Sequence, residues 1–328
     1  MNMSETRTFA PVIRGELRKG EPMSTHVSWR AGGHAKQFFK PADLADLQLF
    51  LPTLPNDEQV LFVGLGSNLL VRDGGFEGTV VLTTPTLHGL TLDANDPHIV
   101  AAGAGVASPH VAKFAAKNGL AGAEWLAGVP GAIGGALAMN AGCYGTETWD
   151  QVVDCTTIDR AGALHTRTAA DFEIGYRHVK QVRGEGISVR SVSPRDPPHP
   201  SPLTPRPEEW FVAARFRFLP GNATTAQARI KELLAKRMAS QPLDKPNAGS
   251  TFRNPPGDFA ARLIESCGLK GFTIGGAQVS MKHANFIINT GTATAADIEN
   301  MIDHMQTTVK EKTGVELVRE VKIVGNAI

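Results

Sequence analysis

Three cysteines in 328 residues, Cys143, Cys155 and Cys267, are too few and too far apart for a zinc cluster or a disulfide framework. They form no C-x-x-C pair, so a reducing cytoplasm is the expected setting. An excess of one charge is missing as well. Lys plus Arg number 33 against 32 Asp plus Glu, so no bulk attraction to nucleic acid or to an anionic membrane is implied. Any anionic ligand must be held by local groups. No apolar run approaches the length of a membrane span. Residues 1–22 carry charges throughout, without the apolar core of a signal peptide, and are expected to form a mobile arm. Apart from His283 the histidines show no ligand spacing, so no metal is expected.

What is present is a chain too long for one ordinary core, with two or more domains as the default. Leu44, Leu47 and Leu51 after Pro41 suggest a short helix, and Val60 to Val63 reads as a buried strand emptying into Gly64. Strands are expected at Thr79 to Leu82 and Ile99 to Ala102, and a helix from Pro109 to Lys117 that stops at Asn118-Gly119. Residues Val152 to Ile158 and Trp210 to Phe216 are rich in β-branched and aromatic side chains, the composition of strands. The prolines between Pro194 and Pro207 forbid regular structure, so a surface loop is expected there. A helix from Thr224 to Ser240 should bury Ile230, Leu233, Leu234 and Met238, with a domain boundary before it near Pro220. A second helix opens at Thr294, with Asp297 three residues on, and buries Ile298, Met301, Ile302, Met305 and Val309. Gly314 should end it, and a strand from Val315 to Val324 should follow.

Three stretches carry possible chemistry. Gly64-Leu65-Gly66-Ser67-Asn68-Leu69 follows a strand, so its backbone N–H groups can converge on a phosphate, or it is simply a tight turn. It is no Rossmann fingerprint, since position 69 is Leu69 instead of glycine, and no P-loop lysine follows. The tract from Gly128 to Gly142 spends backbone entropy on glycine, about 0.5–1 kcal/mol each inside regular structure. Close approach to a large planar ligand would compensate, and so would tight helix packing. Pro246 to Pro255 is a proline-bounded loop presenting Ser250. A hydrolase elbow needs glycine two residues either side of its serine, where this chain has Ala248 and Phe252. A turn serine that bonds its own backbone is the plainer reading.

Seven ordered motifs then set a resemblance: Trp29-Arg30-Ala31-Gly32-Gly33, the Gly64 loop, Glu124 to Gly131, Gly175-Tyr176-Arg177, the Ser250 loop, Lys282 to Asn289, and Glu320-Val321. Across Thr25 to Gly325 the chain resembles the UDP-N-acetylenolpyruvoylglucosamine reductase family. The Lys282 to Asn289 motif is similar to the shorter subclass, which lacks a tyrosine-bearing substrate loop. The resemblance implies an α+β chain with a vanillyl-alcohol-oxidase-type FAD-binding fold and a C-terminal α+β substrate domain. Its units would be the arm 1–22, FAD subdomains 23–85 and 86–220, with a proline-rich loop at 193–207, and a substrate domain 221–328.

It further implies non-covalent FAD, NADPH as donor, a UDP-sugar substrate and a cytoplasmic monomer. FAD would contact Gly64, Gly66, Ser67, Asn68, Leu69, Gly128, Gly131, Gly134, Gly135, Asn140 and Gly142. Arg177, Ser250 and Glu320 would be catalytic. In that chemistry a fixed guanidinium steadies the charge developing on the substrate carboxylate, and a hydroxyl protonates the adjacent carbon. Glu320 would pair with Arg177 or polarise the enolate. Candidates for the substrate's diphosphate and uridine are Tyr176, Arg237, Arg253 and Asn254, with His283 and Asn285 lining the same cleft. Two other readings compete: a flavin- or nucleotide-binding module without chemistry, and a serine hydrolase.

Overall fold

A computed structural model describes residues 12–84, 86–182 and 208–328. Residues 1–11 of the expected arm and the proline-rich segment 193–207 lie outside the described residues. Strands Glu16–Pro22, His34–Lys40, Phe76–Leu82 and Val60–Val63 form a first sheet in that spatial order. The first pair is antiparallel and the other two are parallel. Helix α1 (Leu44–Phe50) starts at Asp43, whose carboxylate accepts from the Asp46 N–H, and it buries Leu47 and Phe50. The arm is therefore shorter than expected, because Glu16–Pro22 is laddered along His34–Lys40. Its side chains are mostly exposed, so main-chain bonds alone fix it and no apolar alternation announces it.

The second sheet is antiparallel throughout, in the order Leu164–Arg167, Val152–Asp159, Glu209–Arg217, Ile99–Gly103, Leu90–Leu92. Helices α2 (Ser108–Lys117) and α3 (Ile133–Met139) cover it through Val111, Ala115, Ile133 and Leu137. Helix α4 (Ala223–Ser240), capped by Asn222, sends Ala226 and Ile230 into this same cluster. So the boundary expected near Pro220 does not separate α4 from the second core. Met238, expected inside, is 63% exposed because α4 has run off that core by its final turn.

The third unit packs α5 (Ala260–Ser266) and α6 (Ala295–Thr313) on the antiparallel strands Thr273–Ile274, Ala277–Val279 and Ile287–Asn289. Thr294 and Asp297 close the expected capping box, and Gly314 ends α6 in a left-handed conformation at φ 75°. Ile298, Met301, Ile302, Met305 and Val309 are all fully buried, each such side chain contributing roughly 1.5–3 kcal/mol. Trp29 and Leu70 of the first unit complete this cluster. Trp29 Nε1 donates to Ile287 O at 2.8 Å, and Asn289 Nδ2 returns a bond to Trp29 O at 2.9 Å.

The strand expected over Val315 to Val324 is only Lys322–Val324, parallel to Leu69–Val71. Upstream, Arg319 bridges Phe252 instead. The segment changes partner between Arg319 and Lys322, so no single ladder runs its length, and Glu320 falls in the crossing.

Candidate active site

Strand Val60–Val63 delivers the chain to Gly64 at the seam between the two sheets. Gly66 has φ +59°, and a Cβ there would sit 2.1 Å from the His26 carbonyl oxygen. The loop closes only with glycine. Ser67 Oγ donates to Pro130 O at 2.6 Å, and Asn68 Nδ2 donates to Glu320 O at 3.2 Å. Both side chains thus fasten the loop to its surroundings. The backbone N–H groups of Gly66, Ser67 and Asn68 find no acceptor among the described residues. Such a nest of free N–H groups is what a pyrophosphate would satisfy.

The second glycine tract divides by role. Gly128, Gly131, Gly135 and Gly142 line a cleft of about 280 Å³ together with Gly64, Gly66, Ser67, Asn68 and Leu69. At Gly135 a Cβ would meet nothing within 4 Å, so this helical glycine keeps the wall flat against a ligand. Gly134 does not line the cleft. A Cβ there would touch Ala104 Cβ at 3.0 Å, so that glycine lets α3 pack on the second sheet. Asn140 does not line it either. It is buried at φ 41°, donates to Glu147 Oε2 at 2.6 Å and Gly175 O at 3.2 Å, and accepts from the Trp149 N–H. These residues fit an FAD: one run of free N–H groups and one flat glycine wall.

Two substitutions separate scaffold from cradle. Gly66→Ala should lower the thermal midpoint and the flavin content together, with roughly 1–2 kcal/mol from the left-handed backbone alone. Gly135→Ala should raise the midpoint of the flavin-free protein by up to roughly 1 kcal/mol of stability, since alanine is the better helix former. The same variant should need more FAD to saturate, as measured by flavin fluorescence quenching.

Arg177, Ser250 and Glu320 all line this cleft, although they lie on three separate elements. Strands Phe172–Gly175 and His178–Gln181 make a hairpin whose last pair is Gly175 with His178. Tyr176-Arg177 is therefore its two-residue turn, with Arg177 at φ 55°. Such a turn usually demands glycine or asparagine, and the left-handed arginine costs roughly 1–2 kcal/mol. Arg177 Nε lies 2.7 Å from Glu320 Oε1, and both side chains are largely buried. The pair is a close ion pair whose Nε–H is poorly aligned with the carboxylate. Burial pushes the Glu320 carboxyl above its ordinary value, and the Arg177 charge offsets this only in part.

The Ser250 loop is held everywhere except at Ser250. Thr251 N–H bonds Asn285 O at 2.8 Å, Phe252 N–H bonds Asn285 Oδ1 at 3.0 Å, and Glu320 N–H bonds Thr251 O at 2.8 Å. Gly249, at φ +77°, takes Asn247 Oδ1 on its N–H. The Ser250 hydroxyl has no hydrogen bond among the described residues, so it is not the self-bonded serine of a plain turn. Among those residues no histidine lines the cleft, so the imidazole base of a Ser-His nucleophile is missing as well.

Of the expected substrate contacts, Arg237 lines the cleft, with Nε on Gln241 Oε1 at 2.8 Å. Burial depresses its pKa, and no carboxylate pairs with it among the described residues. Tyr176 is half exposed and does not line the cleft, with the Arg177 guanidinium 5.5 Å from its ring centre. Asn254, His283, Asn285 and Arg253 do not line the cleft. Asn254 Oδ1 accepts the Ala260 N–H at the start of α5, leaving its amide group exposed. His283 Nδ1 accepts from the Asn285 N–H and its ring meets Phe286 edge-on. Asn285 is buried with both polar ends on the Phe252 backbone, so it shapes the Ser250 loop from behind. Arg253 turns its two terminal nitrogens onto the Arg177 turn.

Cys143, Gln241 and Lys322 also line the cleft, and their sequence contexts carry no motif that singles them out. A wider hollow of about 720 Å³ opens beyond Leu65, lined by Arg14, Lys40, Thr84 and His110 among others. It holds none of Arg177, Ser250 and Glu320, so the chemistry belongs to the smaller cleft. Among the described residues there is no cluster fit to hold a metal ion, and no helix is long and apolar enough to cross a membrane.

A phosphate-ready glycine loop and a flat glycine wall, set between a mixed and an antiparallel sheet, define an FAD-dependent oxidoreductase of the vanillyl-alcohol-oxidase fold. Residues 35–167 match an FAD binding domain, and residues 241–324 match the C-terminal domain of UDP-N-acetylenolpyruvoylglucosamine reductase. The reductase of Thiobacillus denitrificans is 52% identical over 327 residues, covering 96% of this chain and 94% of that protein. That of Nitrosospira multiformis is 54% identical over 314 residues, covering 95% and 90%. The chain belongs to the UDP-N-acetylenolpyruvoylglucosamine reductase family. The crystal structure of the Thermus caldophilus reductase overlays with a TM-score of 0.72 at 28% identity, covering 96% of this chain and all of that one. At 12% identity, 6-hydroxy-D-nicotine oxidase from Arthrobacter nicotinovorans shares the fold alone, with a TM-score of 0.50 over 93% of this chain and 88% of that one.

Proposed function

We propose that this chain reduces UDP-N-acetylglucosamine enolpyruvate to UDP-N-acetylmuramate with NADPH, a step in making peptidoglycan precursors. The observation that carries it is the convergence of Arg177, Ser250 and Glu320 on one cleft walled by glycine. FAD, when bound, supplies the hydride carrier between nicotinamide and substrate. The chain's own residues handle charge and proton. Once the terminal carbon of the enolpyruvyl group has been reduced, the electron pair of the double bond moves onto the adjacent carbon and its carboxylate. Arg177, the guanidinium that lines the cleft beside Ser250, is the group to take that charge. Glu320 beside it keeps the guanidinium in place. Ser250 gives its proton to the adjacent carbon, and the alkoxide recovers one from water.

Arg237 is the cation for the nucleotide's phosphates, with Tyr176 and the exposed amide of Asn254 at the approach. The setting that goes with this reading is a reducing cytoplasm, in which Cys143, Cys155 and Cys267 stay free, and a monomer. A binding module without chemistry would leave the unbonded Ser250 and the buried ion pair without a purpose. Anaerobic mixing tests the reading. The purified yellow protein should be bleached by NADPH and regain its colour with the enolpyruvyl nucleotide, forming one product per flavin. Bleaching without recovery, or labelling by an active-serine probe, would overturn it.

A further inference from the structure

Arg253 was expected to meet the substrate's diphosphate, yet its guanidinium points elsewhere. Nη2 donates to Arg177 O at 3.0 Å and Nη1 donates to Tyr176 O at 3.5 Å. Its Nε–H is buried without an acceptor, and among the described residues it makes no ion pair, its charge reaching the Glu320 carboxyl only at longer range. The two carbonyls it holds are those of the hairpin turn, where Arg177 takes a backbone that arginine seldom adopts. A strained turn persists only where its surroundings over-determine it. One brace comes from below, where Asn140 Nδ2 holds Gly175 O at 3.2 Å. Arg253 is the brace from the other side.

The geometry points to Arg253 as a positioning residue that ties the Arg177 turn to the Ser250 loop and so sets the separation of the two groups. Arg253 sits three residues after Ser250, and its own N–H is fixed on Val318 O at 2.9 Å, two residues before Glu320. One residue therefore connects all three segments that bring catalytic groups to the cleft, its side chain holding the Arg177 turn and its backbone N–H the segment before Glu320. A fork is the right tool for two carbonyls in adjacent peptides. A lysine ammonium, one point charge on a flexible stem, can hold one of them well.

The inference rests on the proposed function but can fail separately from it. Arg253→Met and Arg253→Lys are compared with the parent holoenzyme in two measurements. Without substrate, amide hydrogen exchange at Arg177 and His178 should quicken at least tenfold in Arg253→Met and by less in Arg253→Lys. With substrate, kcat should fall at least tenfold while KM for the enolpyruvyl nucleotide stays within threefold. Unchanged exchange would overturn the proposal. So would a tenfold rise in KM at full kcat, the signature of a lost diphosphate contact. Should Arg253→Met not fold, Arg253→Lys decides alone by the same two readings. Should the parent enzyme not reduce the nucleotide, the functional reading fails, and the exchange result still decides on the brace.

Discussion

Ser250→Ala is expected to slow oxidation of the reduced flavin by the enolpyruvyl nucleotide by about 10²–10⁴-fold, the range a positioned proton donor contributes. Reduction of the flavin by NADPH should be nearly unchanged, because that half-reaction moves no proton to carbon. Stability should move by no more than about 0.5 kcal/mol, as for substitutions that break no specific feature. The hydroxyl bonds nothing among the described residues, and the loop is held by the neighbouring N–H groups of Thr251 and Phe252. A serine is a weak acid, useful only if it is fixed over the carbon that must be protonated. Stopped-flow absorbance of the flavin separates the halves. Equal loss in both would remove Ser250 from the proton-donor role and make it part of flavin binding.

The fold was legible wherever burial imposes a period. Helix α6 was readable to its caps because one face of it is wholly inside, and Val60–Val63 because a short buried strand ends at a glycine. Glu16–Pro22 was hidden because its stabilisation is main-chain pairing, which leaves side chains free to be anything. The same distinction runs through the site. Arg177, Ser250 and Glu320 were recoverable from their motifs, and the structure brings them together.

Asn140 and Gly134 of the Gly128 to Gly142 tract, Asn285 of the Lys282 to Asn289 motif and Arg253 of the Ser250 loop were expected to meet ligand as well, but their polar groups or missing Cβ serve the protein itself. A motif marks the residues a site depends on without separating those that touch ligand from those that hold them in place. That separation needs hydrogen-bond partners. Gln241 shows the reverse: it carries no motif, yet it orients the one cleft arginine that lacks a carboxylate.

Arg177→Met should do more damage than loss of a substrate contact, because it strands Glu320. Turnover should fall by about 10²–10³-fold, the usual cost of removing a donor from developing negative charge. Breaking one side of a buried ion pair costs about 3–5 kcal/mol, and the low end applies because the two side chains retain 17% and 11% exposure. The stability loss should also depend on pH. Burial already holds the Glu320 carboxyl above its ordinary 4.5, and without Arg177 it rises further. A carboxyl raised in the folded state binds a proton that the unfolded chain has released. Its contribution is thus complete below 4.5 and is lost as pH climbs through the folded value. Thermal midpoints of Arg177→Met should therefore drop further behind the parent as pH rises from acid to neutral. Adding Glu320→Gln removes the titrating group, so the double variant should recover most of the midpoint at neutral pH and lose the slope, with turnover still absent. A double variant with the slope of Arg177→Met would mean that another group, and not Glu320, titrates against folding.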